Sequence, residues 1–313
     1  MNFQQLRYVR ETVRRGLNLT EAANALHTSQ PGVSKQIREL ENELGFDIFV
    51  RRGKRISAVT EAGKVALGII ERVLQEADNL KRAAREFSDQ DSGGFTIATT
   101  HTQARYALPR VVREFKRRYP RVRLTLQQGN PPQLAEMVLA GAADVAIATE
   151  ALDHYPGLLA LPAQTWSHCV VVPPRHALLK VGALTLEALA NYPIVTYDAA
   201  FAGRSNIDAA FAARGLKVDV VLSAIDADVI KTYVELGIGV GIIAAMAFDA
   251  QRDTKLRALD AAHLFRYNTT RVAVKRGSLL RGYAYEFIEL FAPALERKLL
   301  ERAIAGAGEL YEL

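Results

Sequence analysis

At 313 residues, 49% hydrophobic and 24% charged, the chain is long enough for two or three domains and too apolar to remain disordered. A single cysteine, Cys169, excludes an intrachain disulfide and any zinc site built from several thiolates. The net charge of +6 permits a polyanionic partner. The opening Met1-Asn-Phe-Gln-Gln-Leu-Arg lacks a signal-peptide core and no run approaches the ~18 apolar residues of a membrane span, so the expected compartment is the cytoplasm.

Phe3, Leu6, Val9 and Val13 fall at helical spacing and predict a first helix. Thr20 is placed to cap a second, with Ala22, Ala23 and Leu26 turned inward, the alanines small enough for two helices to cross closely. Ser29 caps a third helix with Pro31 in its first turn, and Gly45 stops it. The third helix carries Val33, Ile37, Leu40 and Leu44 on one face and polar and basic groups on the other. That is the pattern of a helix-turn-helix presenting its second helix to the DNA major groove. Residues 46–56 read as a two-stranded wing with Arg51-Arg52-Gly53-Lys54-Arg55 at its tip.

Thr60-Glu-Ala-Gly restarts a helix that reaches about Phe87. Ala66, Ile70, Val73, Ala77, Leu80, Ala84 and Phe87 are spaced 4-3-4-3-4-3, a heptad seam, so this helix of about 40–45 Å is expected to pair with a second copy. Asp89-Gln-Asp-Ser-Gly-Gly reads as a hinge. Strands over 95–99, 122–128 and 144–149 alternate with helices near 106–119 and 132–140, which predicts a parallel βαβαβ unit. A second unit runs through 167–172, 194–197, 218–222 and 240–243. Residues 271–274 and a helix over about 279–300 are expected to pack back on the first unit. The predicted architecture is a winged helix-turn-helix (1–59), a linker helix (60–90) and two Rossmann-like α/β lobes of periplasmic-binding-protein type. Lobe I covers about 91–163 plus 268–313 and lobe II about 164–267, joined by crossing segments near 161–166 and 264–269.

Ser29, Gln30, Ser34, Lys35, Gln36 and Arg38 gather at the start of the third helix, where Ser and Gln suit base edges and Lys and Arg suit phosphates. Arg51, Arg52, Lys54 and Arg55 suit the DNA backbone or minor groove beside it. Thr100, Thr102 and Gln103 lie where the first strand of the α/β region ends and its helix begins, the place where open α/β sheets bind ligands. Free N–H groups and the positive helix end favour an anion there, and Thr and Gln add neutral donors. Thr149 ends the third strand and is expected to face the same crevice, with Trp166 as a wall. Gly237-Ile-Gly-Val-Gly-Ile lacks the strand-before, helix-after setting of a nucleotide loop and reads as a tight turn. The histidines show no paired metal spacing and no catalytic constellation emerges, so neither an enzyme, a metal nor a cofactor is expected. Cys169, in His168-Cys-Val-Val-Val, reads as a core residue. A periplasmic solute-binding protein would share such lobes, but the first 90 residues argue against it.

The run Ala22-Ala-Asn-Ala-Leu-His-Thr-Ser-Gln-Pro-Gly-Val-Ser-Lys-Gln-Ile-Arg-Glu-Leu-Glu-Asn-Glu-Leu-Gly, with Phe49-Val-Arg-Arg and Thr60-Glu-Ala-Gly, resembles the signature of LysR-type transcriptional regulators. The resemblance covers the whole chain. Thr99-Thr-His-Thr-Gln-Ala-Arg-Tyr, Gln127-Gln-Gly, Ala148-Thr-Glu-Ala, Thr165-Trp-Ser-His and Gly203-Arg-Ser, with the N-terminal Met1-Asn-Phe-Gln-Gln-Leu-Arg, are similar to the CysB/Cbl-like branch. This resemblance implies a homo-oligomer, a tetramer with dimers formed through the linker helix, that binds promoter DNA, contacts RNA polymerase and regulates sulfur assimilation and cysteine biosynthesis. It also implies that Thr100, Thr102, Gln103 and Thr149, with Trp166 alongside, hold a small anionic effector: N-acetylserine or O-acetylserine as inducer, sulfate or thiosulfate as modulator. The branch motif has a threonine where this chain has Ala202; one bond lost to a charged ligand costs about 1.5–3 kcal/mol. The alternative is a LysR-type regulator of another pathway with a different small-acid effector.

Overall fold

The computed structural model describes residues 1–53, 55–88, 91–304 and 306, in two units, Met1–Arg85 and Glu86–Leu313. In the first unit, helix α1 (Phe3–Arg14) opens on a capping box in which Asn2 and Gln5 each bond the other's backbone N–H. Helix α2 (Leu19–Ala25) starts at Asn18, not at Thr20 as expected. Asn18 is extended, and its Oδ1 accepts from the N–H groups of Thr20 and Glu21 at 3.0 and 3.2 Å. The helix thus begins early enough to bury Leu19. Helix α3 (Gln30–Leu44) is capped by Ser29 and ends at Gly45, whose φ of 77° is open to glycine. Val33, Ile37 and Leu40 are fully buried, whereas Leu44 stays exposed, beyond the reach of the core.

The wing is β1 (Phe49–Arg52) paired antiparallel with β2 (Arg55–Val59), a few residues later than expected. It is tied to α3 by one carboxylate. Glu41 is buried and accepts from the N–H groups of Ile48 (2.9 Å) and Phe49 (3.1 Å) and from Arg51 Nη2 (2.6 Å). Helix α4 (Glu61–Ser88) begins where Thr60 Oγ1 accepts from the Gly63 N–H. Position 63 must be glycine, because a Cβ there would lie 2.1 Å from the Ile48 carbonyl oxygen. The expected heptad seam divides. Ala66 and Ile70 are buried, Ile70 with Leu74 in the core of α1, α2 and α3, while Val73 and Leu80 are exposed. The outward apolar stripe is Val65, Ile69, Val73 and Leu80, because the first half of α4 must cover its own small domain. The Phe87 side chain, and Asp89 and Gln90 of the hinge, lie outside the described residues.

In the second unit, lobe I is built from β3 (Gly93–Thr99), α5 (Leu108–Arg118), β4 (Val122–Gln128), α6 (Pro131–Ala140), β5 (Val145–Ala148) and β6 (Leu158–Trp166). Lobe II follows as β7 (His168–Val172), α7 (Leu186–Leu189), β8 (Ile194–Tyr197), α8 (Ala202–Ala213), β9 (Val220–Ala224), α9 (Ala227–Glu235), β10 (Val240–Ala244) and β11 (Arg257–Asp260). The chain returns to lobe I through β12 (Asn268–Lys275), α10 (Gly282–Phe291) and α11 (Arg297–Ile304). Strand orders are β4-β3-β5-β12-β6 and β11-β7-β10-β8-β9. The βαβαβ part is parallel as expected, but both sheets are mixed: β12 runs antiparallel to β5 and β6, and β7 to β10 and β11. The tail helix expected over 279–300 is two helices, broken around Pro293, which cannot continue a helix. The Phe95, Phe115 and Phe287 rings, 5.3 to 5.8 Å apart between centroids, lock β3, α5 and α10 together.

Gly237 turns with φ 78° between α9 and β10, and a Cβ on Gly241 would meet Val171 at 2.5 Å, so this glycine run is helix-to-strand packing. Cys169 is buried, and burial pushes its thiol up to about 12. His168 has no exposed surface, and its ring packs between Trp166 and Phe265. Burial pushes its pKa down to about 4.

Two outcomes are expected. Glu41→Ala leaves Arg51 and two buried N–H groups unpaired and destabilises the N-terminal unit by about 3–5 kcal/mol. Calorimetry should then show that unit melting early, with the α/β unit unmoved; equal shifts in both transitions would refute it. For His168 the folded pKa lies below the unfolded one, so the stability present above pH ~6.5 is lost as pH falls toward ~4, on the order of 3 kcal/mol in total. Thermal melts of His168→Leu should show a shallower loss between pH 7 and 4 than the parent, and parallel losses would rule this out.

Candidate functional site

On α3 and the wing, the residues expected to face DNA divide into engaged and free groups. Ser29 Oγ is held by the Gly32 N–H at 3.3 Å as the helix cap. Glu39 holds Gln36 Nε2 (2.8 Å) and lies 3.8 Å from Lys35 Nζ, so these two side chains are pre-positioned along the outer face. Gln30 and Ser34 are half-buried and Arg38 is exposed. Arg52 and Arg55 are exposed on the wing, but Arg51 turns inward onto Glu41. Lys54 lies outside the described residues.

The α/β unit brings Thr100, Thr102, Gln103, Thr149 and Trp166 to one cleft between the lobes, joined by Pro131, Tyr197, Phe201 and Gly203. The cleft encloses about 400 Å³ of empty space including its mouth. Among the described residues no lining side chain is charged. Several lining residues instead lie at or beside helix starts. A helical stretch begins at His101, α6 at Pro131, a 3-10 turn follows Thr149, and α8 begins after Phe201. Neither Thr149 nor Phe201 caps its helix with a side-chain bond. At the His101 stretch, the turn after Thr149 and the start of α8, leading N–H groups at positive helix ends favour negative charge, whereas α6 opens on Pro131 and Pro132, which have no N–H, and its Gln133 N–H is held by Asn130. Ala202 is the first residue of α8, beside Gly203.

Gln103 is 2% exposed; its Nε2 donates to Thr270 Oγ1 at 2.9 Å, and its Oε1 has no partner. Thr149 Oγ1 and Trp166 Nε1 are likewise buried and unpartnered. Native proteins rarely leave such groups unmatched, since each costs about 1–3 kcal/mol. Gly203 keeps the wall thin: a Cβ there would lie 3.1 Å from His168 Nε2 and 3.2 Å from the Trp166 ring. Tyr197 Oη accepts from the Ala244 N–H at 3.0 Å, and burial pushes its pKa upward, so it remains an un-ionised phenol.

Beside the cleft, His101, Asp226 and Asp228 bring ligand-type atoms within 4.8 Å of one another. They suit a cation poorly. Asp226 caps α9 through the Val229 N–H, and Asp228 already faces Arg105 and Lys231.

The strand-end rule found the lobe I side of the cleft. The same rule applied to β8 points to Tyr197, which sequence reasoning missed. Pro131 and Phe201 carried only helix-start signals.

A family model described as the LysR substrate binding domain matches residues 88–296, and one for bacterial regulatory helix-turn-helix proteins of the lysR family matches residues 3–64. The chain is 60% identical over 306 residues to the HTH-type transcriptional regulator SsuR of Burkholderia cenocepacia, covering 98% of each chain. It is 56% identical over 313 residues to CysB of the same organism, covering 100% of each, and 50% identical over 309 residues to cbl of Escherichia coli K12, covering 99% and 98%. Among solved structures, the cofactor-binding domain of the Cbl transcriptional regulator matches at 46% identity and a TM-score of 0.66, covering 68% of this chain and 93% of that one. Full-length CbnR in complex with its target DNA shares the fold, with a TM-score of 0.55 at 20% identity over 97% of this chain and 100% of that one. A DNA-facing helix-turn-helix, two α/β lobes around a cleft and relatives aligned end to end agree: the chain belongs to the LysR family of transcriptional regulators, in its CysB/Cbl-like branch.

Proposed function

We propose that this regulator controls genes of sulfur assimilation and cysteine biosynthesis and responds to a small anionic effector bound between its lobes. The observation that carries the effector reading is the trio of buried, unpartnered atoms Gln103 Oε1, Thr149 Oγ1 and Trp166 Nε1 around a cleft that helix N-termini enter. Thr100 and Thr102 add hydroxyls, and Ala202 stands where the branch carries one more. The tight interior suits a sulfate, a thiosulfate or an acylated serine rather than an aromatic acid. With Nε2 committed to Thr270, Gln103 offers the ligand an acceptor. N-acetylserine has N–H and O–H groups to satisfy it, O-acetylserine has an ammonium, and sulfate has no donor. The sulfur assignment rests on the resemblance to the CysB/Cbl-like branch and on the relatives named CysB, cbl and SsuR.

In this reading Gln30, Ser34, Gln36 and Arg38 meet promoter DNA from α3, with Arg52 and Arg55 on its phosphates. The exposed stripe Val65, Ile69, Val73 and Leu80 of α4 pairs two copies, and lobe II offers a second apolar face, Ile225, Val229, Tyr233 and Leu236, for assembly toward a tetramer. The effector acts by binding one arrangement of the lobes or subunits more tightly than another, which is the only way occupancy can shift the equilibrium. The altered complex changes contact with RNA polymerase in the cytoplasm.

Calorimetric titration tests the effector. Gln103→Ala should weaken N-acetylserine binding about tenfold or more and leave sulfate binding nearly unchanged, whereas Thr149→Val should weaken both. Absence of saturable binding to the parent protein by either compound would remove the effector reading and leave the DNA-binding regulator. Promoter-shift assays test the wing. Arg52→Ala and Arg55→Ala should each lower the salt slope of DNA binding by about 1. Arg51→Ala should instead lower the melting temperature of the N-terminal unit, and an unchanged melt with a reduced salt slope would return Arg51 to the DNA.

A further inference from the structure

Between β3 and α5 the helical backbone loosens into a π-helical turn, Gln103–Ala107. Such turns inside helices mark places where side chains are re-aimed for function. This one aims two side chains at different targets. Gln103 goes to the cleft, and Tyr106, three residues on, leaves lobe I and packs its ring against the core of lobe II. There Tyr106 Oη donates to Asp228 Oδ1 at 2.6 Å and accepts from Lys231 Nζ at 3.2 Å. Lys231 Nζ also lies 5.4 Å from the centre of the Tyr106 ring. Arg105, on the same turn, pairs with Asp228, and His101 Nε2 lies 3.6 Å from Asp228 Oδ2.

The lobe II side of this contact is built, not incidental. Lys231 is 7% exposed, and its Nζ also donates to Ala247 O at 2.9 Å and to both Asp253 oxygens at 3.0 and 3.1 Å. Burial is the largest influence on each group. It raises the Tyr106 pKa, and Asp228 adds to that rise, so Tyr106 keeps the proton it donates. For Lys231 burial is outweighed by Asp253 and Tyr106 acting together, and for Asp228 by Tyr106, Lys231 and Arg105 acting together, so the ammonium and the carboxylate both stay charged.

We propose that Tyr106 is an interlobe latch: its hydroxyl, held between Asp228 and Lys231, fastens α9 of lobe II to the same turn that carries Gln103, so that lobe closure and occupancy of the cleft are linked through one π-helical turn. Linkage to occupancy rests on the effector reading above; the latch itself does not. Tyr106 is a positioning residue. It does not line the cleft, and its effect on ligand runs through the closure of α9 over it. An open cleft lets ligand leave faster, so the latch acts on dissociation more than on association.

The experiment uses the full-length protein and Tyr106→Phe, which keeps the ring and deletes only the hydroxyl. Hydrogen exchange without ligand is the first arm. Loss of one charge-assisted bond is expected to speed exchange in α9 about tenfold while α10, in the lobe I core, exchanges as in the parent. Asp228→Asn should speed α9 more than Tyr106→Phe, since it also loses Arg105, and the two changes together should speed it by less than the product of their separate effects. Unchanged α9 exchange, or equal acceleration of α10, overturns the latch. Stopped-flow fluorescence of Trp166, the single tryptophan, is the second arm, with N-acetylserine and sulfate as probes. Tyr106→Phe should raise the dissociation rate about three- to tenfold and leave the association rate within about twofold. Equal changes in both rates, or none, overturn the linkage. If neither probe alters parent fluorescence, the effector reading falls, and the exchange arm alone decides the latch.

Discussion

The pairing of β6 with β12 is the constraint on which the α/β unit depends. The two strands run antiparallel from Trp166 opposite Asn268 to Leu158 opposite Lys275, and they are where the chain leaves lobe I and where it comes back. Because the exit and the return are bonded side by side, lobe II hangs from a two-stranded tie. That tie explains why the sheet of lobe I is mixed. It also explains why Trp166 and Thr270, far apart in sequence, reach the same cleft: one walls it and the other orients Gln103.

In the proposed reading the cleft receives a negative ligand with no positive side chain among the described lining residues. A lysine or arginine in so small a space would demand a permanent partner or lower its own charge by burial. Helix starts avoid the problem, since their partial charges come from the backbone and need no counter-ion. In that reading the unpartnered Gln103 Oε1, Thr149 Oγ1 and Trp166 Nε1 are the groups that the ligand satisfies. The N-terminal unit meets its electrostatic problem in the opposite way. There a full carboxylate, Glu41, is buried, but each of its bonds is made inside the domain, so it organises α3 and the wing rather than waiting for a partner.

Much of this was legible in the sequence. Ser29, Pro31 and Gly45 marked the limits of α3, and Val33, Ile37 and Leu40 marked its buried face, because caps and periodicity are local physics. Thr100, Thr102, Gln103 and Thr149 were legible because strand ends in α/β sheets converge. What could not be read depends on distant neighbours. The inward turn of Arg51 requires Glu41 to be buried beneath it, and nothing in Arg51-Arg52 separates the two arginines. The heptad reading of α4 failed in its first half because the small domain took Ile70 and Leu74 for its own core. Asn18 displaced Thr20 as a cap because both are good caps, and backbone conformation decided between them. The short edge strand β11 carries no clear alternation, with only Leu259 of its four residues less than exposed, and so left no signal. The π-helical turn had none either, since it arises from where Gln103 and Tyr106 must point.

Cys169 has a consequence of a different kind. It lies buried on β7, paired on both sides by β10 and β11, and its thiol is held protonated far above neutral pH. A thiolate is the reactive form, so the folded chain offers alkylating and oxidising reagents almost nothing to attack. The sole cysteine of the chain becomes reactive when β7 is exposed. The rate at which a thiol reagent in excess consumes it therefore counts openings of the lobe II sheet, a built-in clock for partial unfolding that needs no added label.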